Sequence, residues 1–430
     1  MNTGPTARPR TNWAGNVAFG AADLHRPATF GQLQAVVARA SRLRVLAAGH
    51  SFSDLADSPG AQVSLAGLPP EVEIDSAARL ARISAGLSYA DLAPRLDRQG
   101  FALRNLASLP HISVAGACAT GTHGSGAAHP NLAAAVAGLT LVTADGDQVE
   151  LSRRDDWFDG AVVHLGALGV VARLVLDLVP SFDVAQRVYE DLPLEILGDH
   201  FTGLMAGAYS VSLFTDWRAP RFTQLWLKQR LPDPPRPAPP VPPITQESWF
   251  TATPAPAARH PVPGWPADPC TEQLGVPGRW YDRLPHFRPG FRPSAGHELQ
   301  SEYLLPVEHA IPALHALDEI RARLAPVLRI CEIRVIAADR LWLSPCYRRD
   351  SVAVHFTWIA NTASVLPVVA LTERQLAPFA ARPHWGKIFT TPPEILRSSY
   401  ERLPEFIDLM RRLDPRGKFR NAYLDRCLGA

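Results

Sequence analysis

The chain has 430 residues, and its 43 basic and 41 acidic side chains give a formal net charge of +2. A protein that holds nucleic acid needs a clear surplus of Lys and Arg on one face, so this balance argues against a nucleic-acid partner. Hydrophobic residues make up 47% of the chain and charged residues 20%, which excludes a disordered protein and predicts roughly two or three domains with their own cores.

The beginning of the chain carries no pattern typical of export. Residues 1–13 contain two arginines, but no apolar run follows them. No stretch of about 18 apolar residues lacks a charge, which argues against a membrane-spanning helix. Five scattered cysteines include no pair with the spacing of a zinc or redox motif. We therefore expect a cytoplasmic monomer that binds no metal and does not contact a membrane.

Short strands and helices alternate through the first 180 residues. Thr29 is expected to cap a helix that begins at Phe30, and Ser88 with Asp91 resembles a capping box. An Asp145-Gly146 turn predicts a β-hairpin. This order indicates an α+β arrangement rather than a regular βαβ array. The predicted strands are Arg44–Ala48, Glu71–Ile74, Arg79–Ser84, Leu139–Thr143, Gln148–Leu151 and Arg173–Leu178.

The pattern changes after Pro180. Eight of the twelve residues from Pro232 to Pro243 are proline, which is typical of a stiff surface loop, while a PxxP ligand for a partner module is the alternative. Periodicity predicts a long amphipathic helix over His309–Leu328 and a strand over Arg329–Ile336. Val352–Ile359 alternates with period two, as a strand with one exposed face would, and Leu403–Leu413 is predicted to be helical.

Two glycine-rich loops suit an anionic ligand. In the first, Gly49 follows a predicted strand and allows a close approach to the backbone, while Ser51 and Ser53 can donate to phosphate oxygens. The second, from Ser113 to Gly126, contains four glycines and four hydroxyl side chains. Neither is a P-loop or a Rossmann fingerprint. We expect a long polyphosphate ligand here, with His50 as a phosphate contact, a base or a covalent anchor; the alternatives are that the glycines only form tight turns and that His50 is structural.

Polar side chains on apolar strands predict a second group of site residues. Glu332 and Arg334 alternate with apolar residues and so share one face of a strand, and His355 and Thr357 do the same on another. Lys387, one of only three lysines, lies in an apolar segment. Together these groups suit a polyhydroxylated substrate that needs several directed hydrogen bonds. The sequence contains no H-E-x-x-H metal motif and no G-x-S-x-G elbow of a serine hydrolase.

These motifs identify the chain as resembling a known family. Residues 44–53 and 107–126 look like the flavin domain of the vanillyl-alcohol-oxidase superfamily of FAD-linked oxidases. Within it, the bacterial alditol oxidases (xylitol or sorbitol oxidases) are the most similar branch. The motifs of the second half that carry this resemblance are residues 208–218, 298–303, 331–334, 355–358, 383–387 and 417–419.

The resemblance implies an α+β architecture with two parts. A two-subdomain FAD-binding domain would span 1–181, and an α+β cap domain with an antiparallel sheet would bind substrate over 182–384. Residues 385–430 would return to the FAD-binding domain. The long Pro-rich insertion departs from the family pattern, which affects only surface geometry.

The resemblance also implies FAD joined covalently to His50 through the 8α carbon of the isoalloxazine. Ala107 matches a small residue that governs oxygen access to the flavin. The pocket in front of the flavin would be formed by Ser108, Glu332, Arg334, His355, Thr357 and Lys387. The remaining expected cofactor contacts are Ala47, Ala48, Gly49, Ser51, Phe52, Ser53, Ser108, Ser113, Gly116, Ala119, Thr120, Gly121, Thr122, His123, Gly124, Gly169 and Val170.

The implied reaction is oxidation of the C1 hydroxyl of an alditol to the aldose, by hydride transfer to flavin N5 with O2 reduced to H2O2. Lys387 and Arg334 would stabilise the developing negative charge, and His355 would accept or relay the hydroxyl proton. Glu332 would accept hydrogen bonds from adjacent polyol hydroxyls. Two alternatives remain: a sugar-1,4-lactone (aldonolactone) oxidase, and a catalytically inactive sugar-binding protein.

Overall fold

The computed structural model describes residues 10–232, 249–291 and 297–429 of the chain. Within these ranges no helix is both long and apolar enough to cross a membrane. Most of the Pro-rich run, from 233 to 243, lies outside the described residues, so both interpretations of it stay predictions.

Three small sheets organise the first half of the chain. The strands are β1 (Asp23–His25), β2 (Leu43–Val45), β3 (Ala61–Val63), β4 (Val72–Asp75), β5 (Leu80–Ser84), β6 (Phe101–Ala102), β7 (Val136–Val142), β8 (Gln148–Ser152), β9 (Val170–Asp177) and β10 (Val179–Pro180). The helices are α1 (Phe30–Arg39), α2 (Tyr89–Arg98), α3 (Val114–Ala119) and α4 (Phe158–Val162). β1, β3 and β2 pair in parallel, while β4, β5, β9, β7 and β8 form an antiparallel sheet in that order. The third sheet is only the antiparallel pair of β6 and β10.

The predicted helix caps and hairpin are confirmed. Thr29 Oγ1 accepts a hydrogen bond from Gln32 N at the start of α1, and a capping box begins α2. The turn between β7 and β8 contains Gly146 at φ 88°, a conformation that a side chain would strain. β2 is shorter than predicted, because it ends at Val45 and leaves Ala47 and Ala48 in the following loop.

An antiparallel sheet dominates the second half. Its strands are β11 (Asp183–Pro193), β12 (Ser210–Thr215), β13 (Arg221–Leu231), β14 (Thr253–Pro254), β15 (Pro277–Arg279), β16 (Glu298–Pro306), β17 (Leu328–Ile336), β18 (Ser351–Ile359) and β19 (Arg382–Pro383). The order is β14-β11-β13-β12-β17-β18-β16-β19, with β15 paired to β11. The accompanying helices are α5 (Leu197–Ala206), α6 (Ala310–Glu319), α7 (Arg321–Leu324) and α8 (Thr362–Leu376). Apolar residues of α5, α6 and α8 share a core with one face of this sheet.

The prediction of an exposed face on β18 is wrong. Val354 and Phe356 are fully buried in the core shared with the helices. His355 and Thr357 on the opposite face are also buried, at 9% and 8% exposure, because that face lies against a cavity rather than against bulk solvent. The period-two alternation therefore separates an apolar core from a polar site.

The long helix predicted over His309–Leu328 is also wrong in its extent. α6 ends at Glu319, and Ile320 leaves helical geometry with φ −101° and ψ 9°. α7 adds one short turn and ends at Leu324. Pro326 has no N–H to donate, so it cannot extend the hydrogen-bonded ladder toward β17.

The C-terminal segment packs on the first half of the chain. Its helices are α9 (Pro393–Ser398), α10 (Leu403–Leu413, as predicted) and α11 (Ala422–Leu428). Phe406 and Tyr423 belong to the same hydrophobic core as Leu33 of α1. Lys418 is buried and donates from Nζ to the carbonyl oxygens of residues 37, 38 and 144. The predicted division at residues 181 and 384 stays a prediction, because this core also includes Trp280 and Leu343 of the segment between them.

Candidate active site

A cavity of about 520 Å³ lies between the two halves of the chain. Its volume falls within the range of small-molecule sites, roughly 300–1,000 Å³. The two glycine-rich loops line one side, and the polar face of the large sheet lines the other. Every residue predicted to bind substrate lines this cavity, namely Ser108, Glu332, Arg334, His355, Thr357 and Lys387.

Strand register places the polar side chains of the sheet in rows. Glu302 of β16 is paired with His355 of β18, and His355 is paired with Glu332 of β17. Gln300 and Thr357 form the next row. Side chains directly opposite each other on one face of a sheet lie close enough to interact. The sheet therefore brings together groups that are far apart in the sequence.

Glu302 lies at the centre of a buried charge cluster. Its Oε1 is 2.6 Å from Arg334 Nη2 and 3.2 Å from His123 Nε2, and its Oε2 is 3.4 Å from His355 Nδ1. Burial raises the pKa of this carboxyl, but His123, Arg334 and His355 lower it well below its usual range. Burial opposes the charge of Arg334, yet Glu332 and Glu302 raise its pKa above the ordinary value. Both groups are therefore ionised inside the protein.

His355 is arranged as a neutral proton acceptor. Burial, and next the charge of Lys387, lower its pKa below the ordinary value. Its Nδ1 faces the Glu302 carboxylate, while its Nε2 lies 3.3 Å from Thr357 Oγ1. A carboxylate at Nδ1 favours the tautomer with its proton there, so Nε2 is left to accept a proton.

Lys387 connects the sheet to the first glycine-rich loop. Its Nζ donates to Gln300 Oε1 and lies 5.2 Å from the centre of the Phe52 ring. Phe52 N in turn donates to the carbonyl oxygen of Gly386 at 2.7 Å. Burial lowers the pKa of Lys387 to about 8. The ammonium is therefore held at the cavity, close to the loop that carries His50.

The loop around His50 is shaped by its glycine. Gly49 has φ 69°, a left-handed conformation that favours glycine, and its carbonyl accepts a hydrogen bond from Trp13 N at 2.8 Å. The His50 ring lies between Trp13 and His111, whose ring centres are 4.7 Å and 4.6 Å away. His50 lines the cavity.

The second loop fits a long dinucleotide such as FAD. Ser113 caps α3, and a side chain at Gly116 would lie 2.6 Å from Ser113 Oγ, so it would have to displace the hydroxyl that caps this helix. Small and hydroxyl-bearing residues leave the backbone accessible to a phosphate chain. The predicted cofactor residues that line the cavity are Ala47, Ala48, Gly49, His50, Ser51, Phe52, Ser53, Ser108, Ser113, Gly116, Ala119, Thr120, Thr122 and His123, together with Ala107.

Four predicted cofactor positions lie behind the cavity wall. Gly121 packs near Pro345, Gly124 packs on the backbone of Leu106, and Gly169 on that of residue 142. Val170 is fully buried at the start of β9. These four residues do not line the cavity, and the expected cofactor contacts at Gly121, Gly124, Gly169 and Val170 stay predictions. Gly166 and Val171 line the cavity instead.

Sequence reasoning missed Glu302 and His286. Glu298, Gln300 and Glu302 recur at every second residue of β16, the same signal that identified the polar face of β17. His286 gives no such signal because it lies in an irregular segment. In the structure its Nε2 is 2.8 Å from Glu332 Oε1.

Comparison with known proteins identifies the family. The chain is 52% identical over 421 residues to an alditol oxidase from Streptomyces sp., covering 96% of this chain and 97% of that protein. This chain belongs to the alditol oxidase family. The model of an FAD binding domain matches residues 22–152, and that of D-arabinono-1,4-lactone oxidase matches residues 297–427. The chain is therefore an FAD-binding oxidoreductase, as the resemblance implied.

Relatives that act on sugar lactones by name are less similar to this chain. An L-gulono-1,4-lactone dehydrogenase from Mycobacterium tuberculosis is 30% identical over 97% of this chain and 99% of its own. An L-gulonolactone oxidase from Mus musculus is 26% identical, over 96% and 97%. Among solved structures, a cholesterol oxidase from B. sterolicum has a TM-score of 0.75 at 13% identity, covering 97% of this chain and 96% of its own. That similarity supports the fold alone, and the predicted α+β FAD-binding fold is confirmed.

Proposed function

We propose that this member of the alditol oxidase family oxidises the C1 hydroxyl of alditols such as xylitol, sorbitol or glycerol to the aldose, with O2 reduced to H2O2. The observation that carries this proposal is the convergence of five polar side chains on one cavity wall. A polyol carries a hydroxyl on every carbon and therefore needs several closely spaced hydrogen-bond donors and acceptors. The cavity offers them in Glu332, Arg334, His355, Thr357 and Lys387. The family's alditol oxidase from Streptomyces sp. supports the same substrate class.

Three residues would bind and orient the substrate. The Glu332 carboxylate accepts hydrogen bonds from hydroxyls on adjacent carbons, because it has two oxygens and stays ionised. Burial raises the pKa of Glu332, but Arg334 and His286 lower it far below the ordinary value. Ser108 and Thr357 contribute hydroxyls that can both donate and accept. These contacts would hold the C1 carbon in one orientation.

The remaining groups would move the proton and stabilise charge. The two glycine-rich loops that line the cavity would hold FAD, which would supply the acceptor for the hydride from C1 and the route of the electrons to O2. His355 takes the hydroxyl proton at Nε2, since its ring is neutral. Lys387 and Arg334 hold fixed positive charge at the cavity, where negative charge develops as the alcohol is oxidised. Ala107 is small and buried at the cavity wall, which suits access of O2.

We also propose that FAD is attached covalently to His50. The ring is held between two aromatic neighbours at the cavity, which favours one orientation toward a ligand. His50→Ala should therefore release its flavin on acid precipitation, whereas the wild-type protein should keep flavin with the polypeptide. Fluorescence of the denatured protein on a gel measures this difference. A fluorescent polypeptide band in His50→Ala would contradict the assignment.

Substrate comparison tests the proposed function against its relatives. Purified protein should release H2O2 with xylitol, and kcat/KM for xylitol should exceed that for L-gulono-1,4-lactone by about tenfold or more. A preference for the lactone would instead make the protein an aldonolactone oxidase. Absence of turnover with both, in protein that contains flavin, would indicate the sugar-binding alternative.

The pKa of Lys387 predicts a pH dependence. Burial lowers this pKa to about 8, so the ammonium is present below that pH and lost above it. Because the charged form is the one that stabilises the reaction, kcat/KM for xylitol should fall as pH rises through about 8. In Lys387→Arg the guanidinium stays charged, so the remaining activity should lose this alkaline decrease. If kcat/KM of Lys387→Arg still fell above about pH 8 as in the wild type, a group other than Lys387 would be responsible for the decrease.

A further inference from the structure

A buried lysine lies behind the cavity wall and has no part in the mechanism above. Lys228, on β13, is only 1% exposed. Its Nζ donates to the carbonyl oxygen of Leu284 at 2.5 Å and to that of Pro285 at 3.1 Å. The third neighbour is Nδ1 of His286, at 3.2 Å. An ammonium has three donors and no acceptor, so these three partners match it completely.

His286 is held between Lys228 and the substrate cavity. Its ring lies at steep angles to Phe214 and Trp226, with ring centres 5.7 Å and 5.1 Å away. Its backbone N donates to the carbonyl oxygen of Ser108 at 3.1 Å. These two rings, which also contact each other, and the backbone hydrogen bond fix the imidazole while its Nε2 lies 2.8 Å from Glu332 Oε1.

The hydrogen bonds in this group have a single consistent direction. Because an ammonium can only donate, Nδ1 of His286 must accept, and the proton of the neutral ring lies on Nε2. Burial, and next the charge of Lys228, lower the pKa of His286 to about 4, so the ring carries only that one proton. Nε2–H then donates to Glu332. The Lys228 ammonium and the Glu332 carboxylate thus favour the same tautomer, and without Lys228 only the carboxylate would hold the ring in it.

We infer that Lys228 is a positioning residue for alditol binding, acting through His286 to fix the Glu332 carboxylate as an acceptor for substrate hydroxyls. The contacts with His286 and with Arg334 Nε, at 3.6 Å, both fall on Oε1. This arrangement leaves Oε2 for hydroxyl donors. The inference rests on the proposed function, because it assigns Glu332 to substrate binding.

Lys228→Met should separate binding from turnover. Met has similar length but no donor, so His286 loses the donor at Nδ1, one of the two groups that fix its tautomer and orientation. We expect KM for xylitol to rise about tenfold, the effect of weakening a hydrogen bond to a charged group, while kcat stays within about threefold of the wild type. Burial lowers the pKa of Lys228 to about 7, so the kinetics are measured near pH 6, where the wild-type amine is an ammonium.

Lys418→Met is the matched control. Lys418 is also a buried lysine that donates to backbone carbonyls, but its partners, residues 37, 38 and 144, do not line the cavity, whereas the Lys228 partner His286 does. Its replacement should leave KM for xylitol unchanged. Thermal unfolding of each flavin-containing variant shows whether the two substitutions affect stability alike. A rise in KM as large in Lys418→Met would mean that the effect is merely structural.

A double-mutant cycle tests the route through His286. The amide of His286→Gln can donate to Glu332 without help from Lys228, so in that background Lys228→Met should change KM by less than about twofold. An equal rise in KM in both backgrounds, or a wild-type KM in Lys228→Met alone, would overturn the inference while leaving the proposed function intact.

His286→Leu covers the case in which Lys228→Met does not fold. It removes the donor to Glu332 and should raise KM for xylitol, again with little change in kcat. A wild-type KM in His286→Leu would overturn the inference. If the wild-type protein oxidised no alditol, the proposed function and this inference would both be wrong.

Discussion

Replacing Glu302 with Gln should lower kcat for xylitol about 100-fold, a loss of the size expected when a general base is impaired. The carboxylate lies 2.6 Å from Arg334 Nη2 and 3.4 Å from His355 Nδ1, so it holds both a cation and the proton acceptor of the proposed mechanism. Gln keeps the size but removes the charge that favours a proton on His355 Nδ1. Peroxide release at saturating xylitol measures the effect.

Asp339→Asn is the matched control for this charge removal. Asp339 is also a buried carboxylate, hydrogen-bonded to Asn131 and Ser344, but it does not line the cavity. The pKa of Asp339 is raised to about 6 by burial, so its protein environment already tolerates the neutral form better. We expect kcat near the wild-type value in Asp339→Asn. A wild-type kcat in Glu302→Gln would show that this carboxylate does not position the reacting groups.

Replacing Lys387 with Met should lower kcat for xylitol by about 100-fold or more, because one preorganised charge at the reacting centre typically contributes that much. The ammonium is held by Gln300 and lies over the Phe52 ring, so it cannot be replaced by a mobile solvent ion. Methionine retains the length and most of the apolar contact. The measurement is kcat from peroxide release, with flavin content determined for each preparation.

The expected result for Lys387→Met is distinct from that for Lys228→Met. Lys387 lines the cavity and would stabilise the transition state, so Lys387→Met should lower kcat. Lys228 is buried and reaches Glu332 only through His286, so Lys228→Met should raise KM instead. A Lys387→Met variant with full turnover would exclude the charge-stabilising role. Full turnover combined with a raised KM would make Lys387 a substrate-binding residue only.

Local sequence signals predicted much of the fold. The caps at Thr29 and Ser88, the Asp145-Gly146 turn and α10 are short-range features, fixed by hydrogen bonds between residues a few positions apart. The prediction of one long helix over His309–Leu328 was wrong because the helix ends before Ile320, where no glycine or proline in the sequence indicates a break. The prediction that one face of β18 is exposed was wrong for a different reason. Period-two alternation shows that the two faces of a strand differ in polarity, but it does not show what covers each face.

The candidate site was only partly predictable for a related reason. Alternation along β17 and β18 identified which polar residues share a face, and the structure brings them to one cavity. The neighbours of those strands depend on sheet order, which joins β16 to β18 and so places Glu302 beside His355. No local pattern specifies that order. His286 depends further on an irregular segment that packs against β13 and β17.

Anaerobic mixing with xylitol tests the central claim most directly. We expect xylitol to bleach the visible absorbance of the bound flavin without oxygen, and air to restore it with one H2O2 formed for each aldose. This result requires both substrate oxidation and reoxidation by O2 in the same site. A flavin that stays oxidised in xylitol, or one that is bleached but yields no peroxide in air, would contradict the assignment as an alditol oxidase.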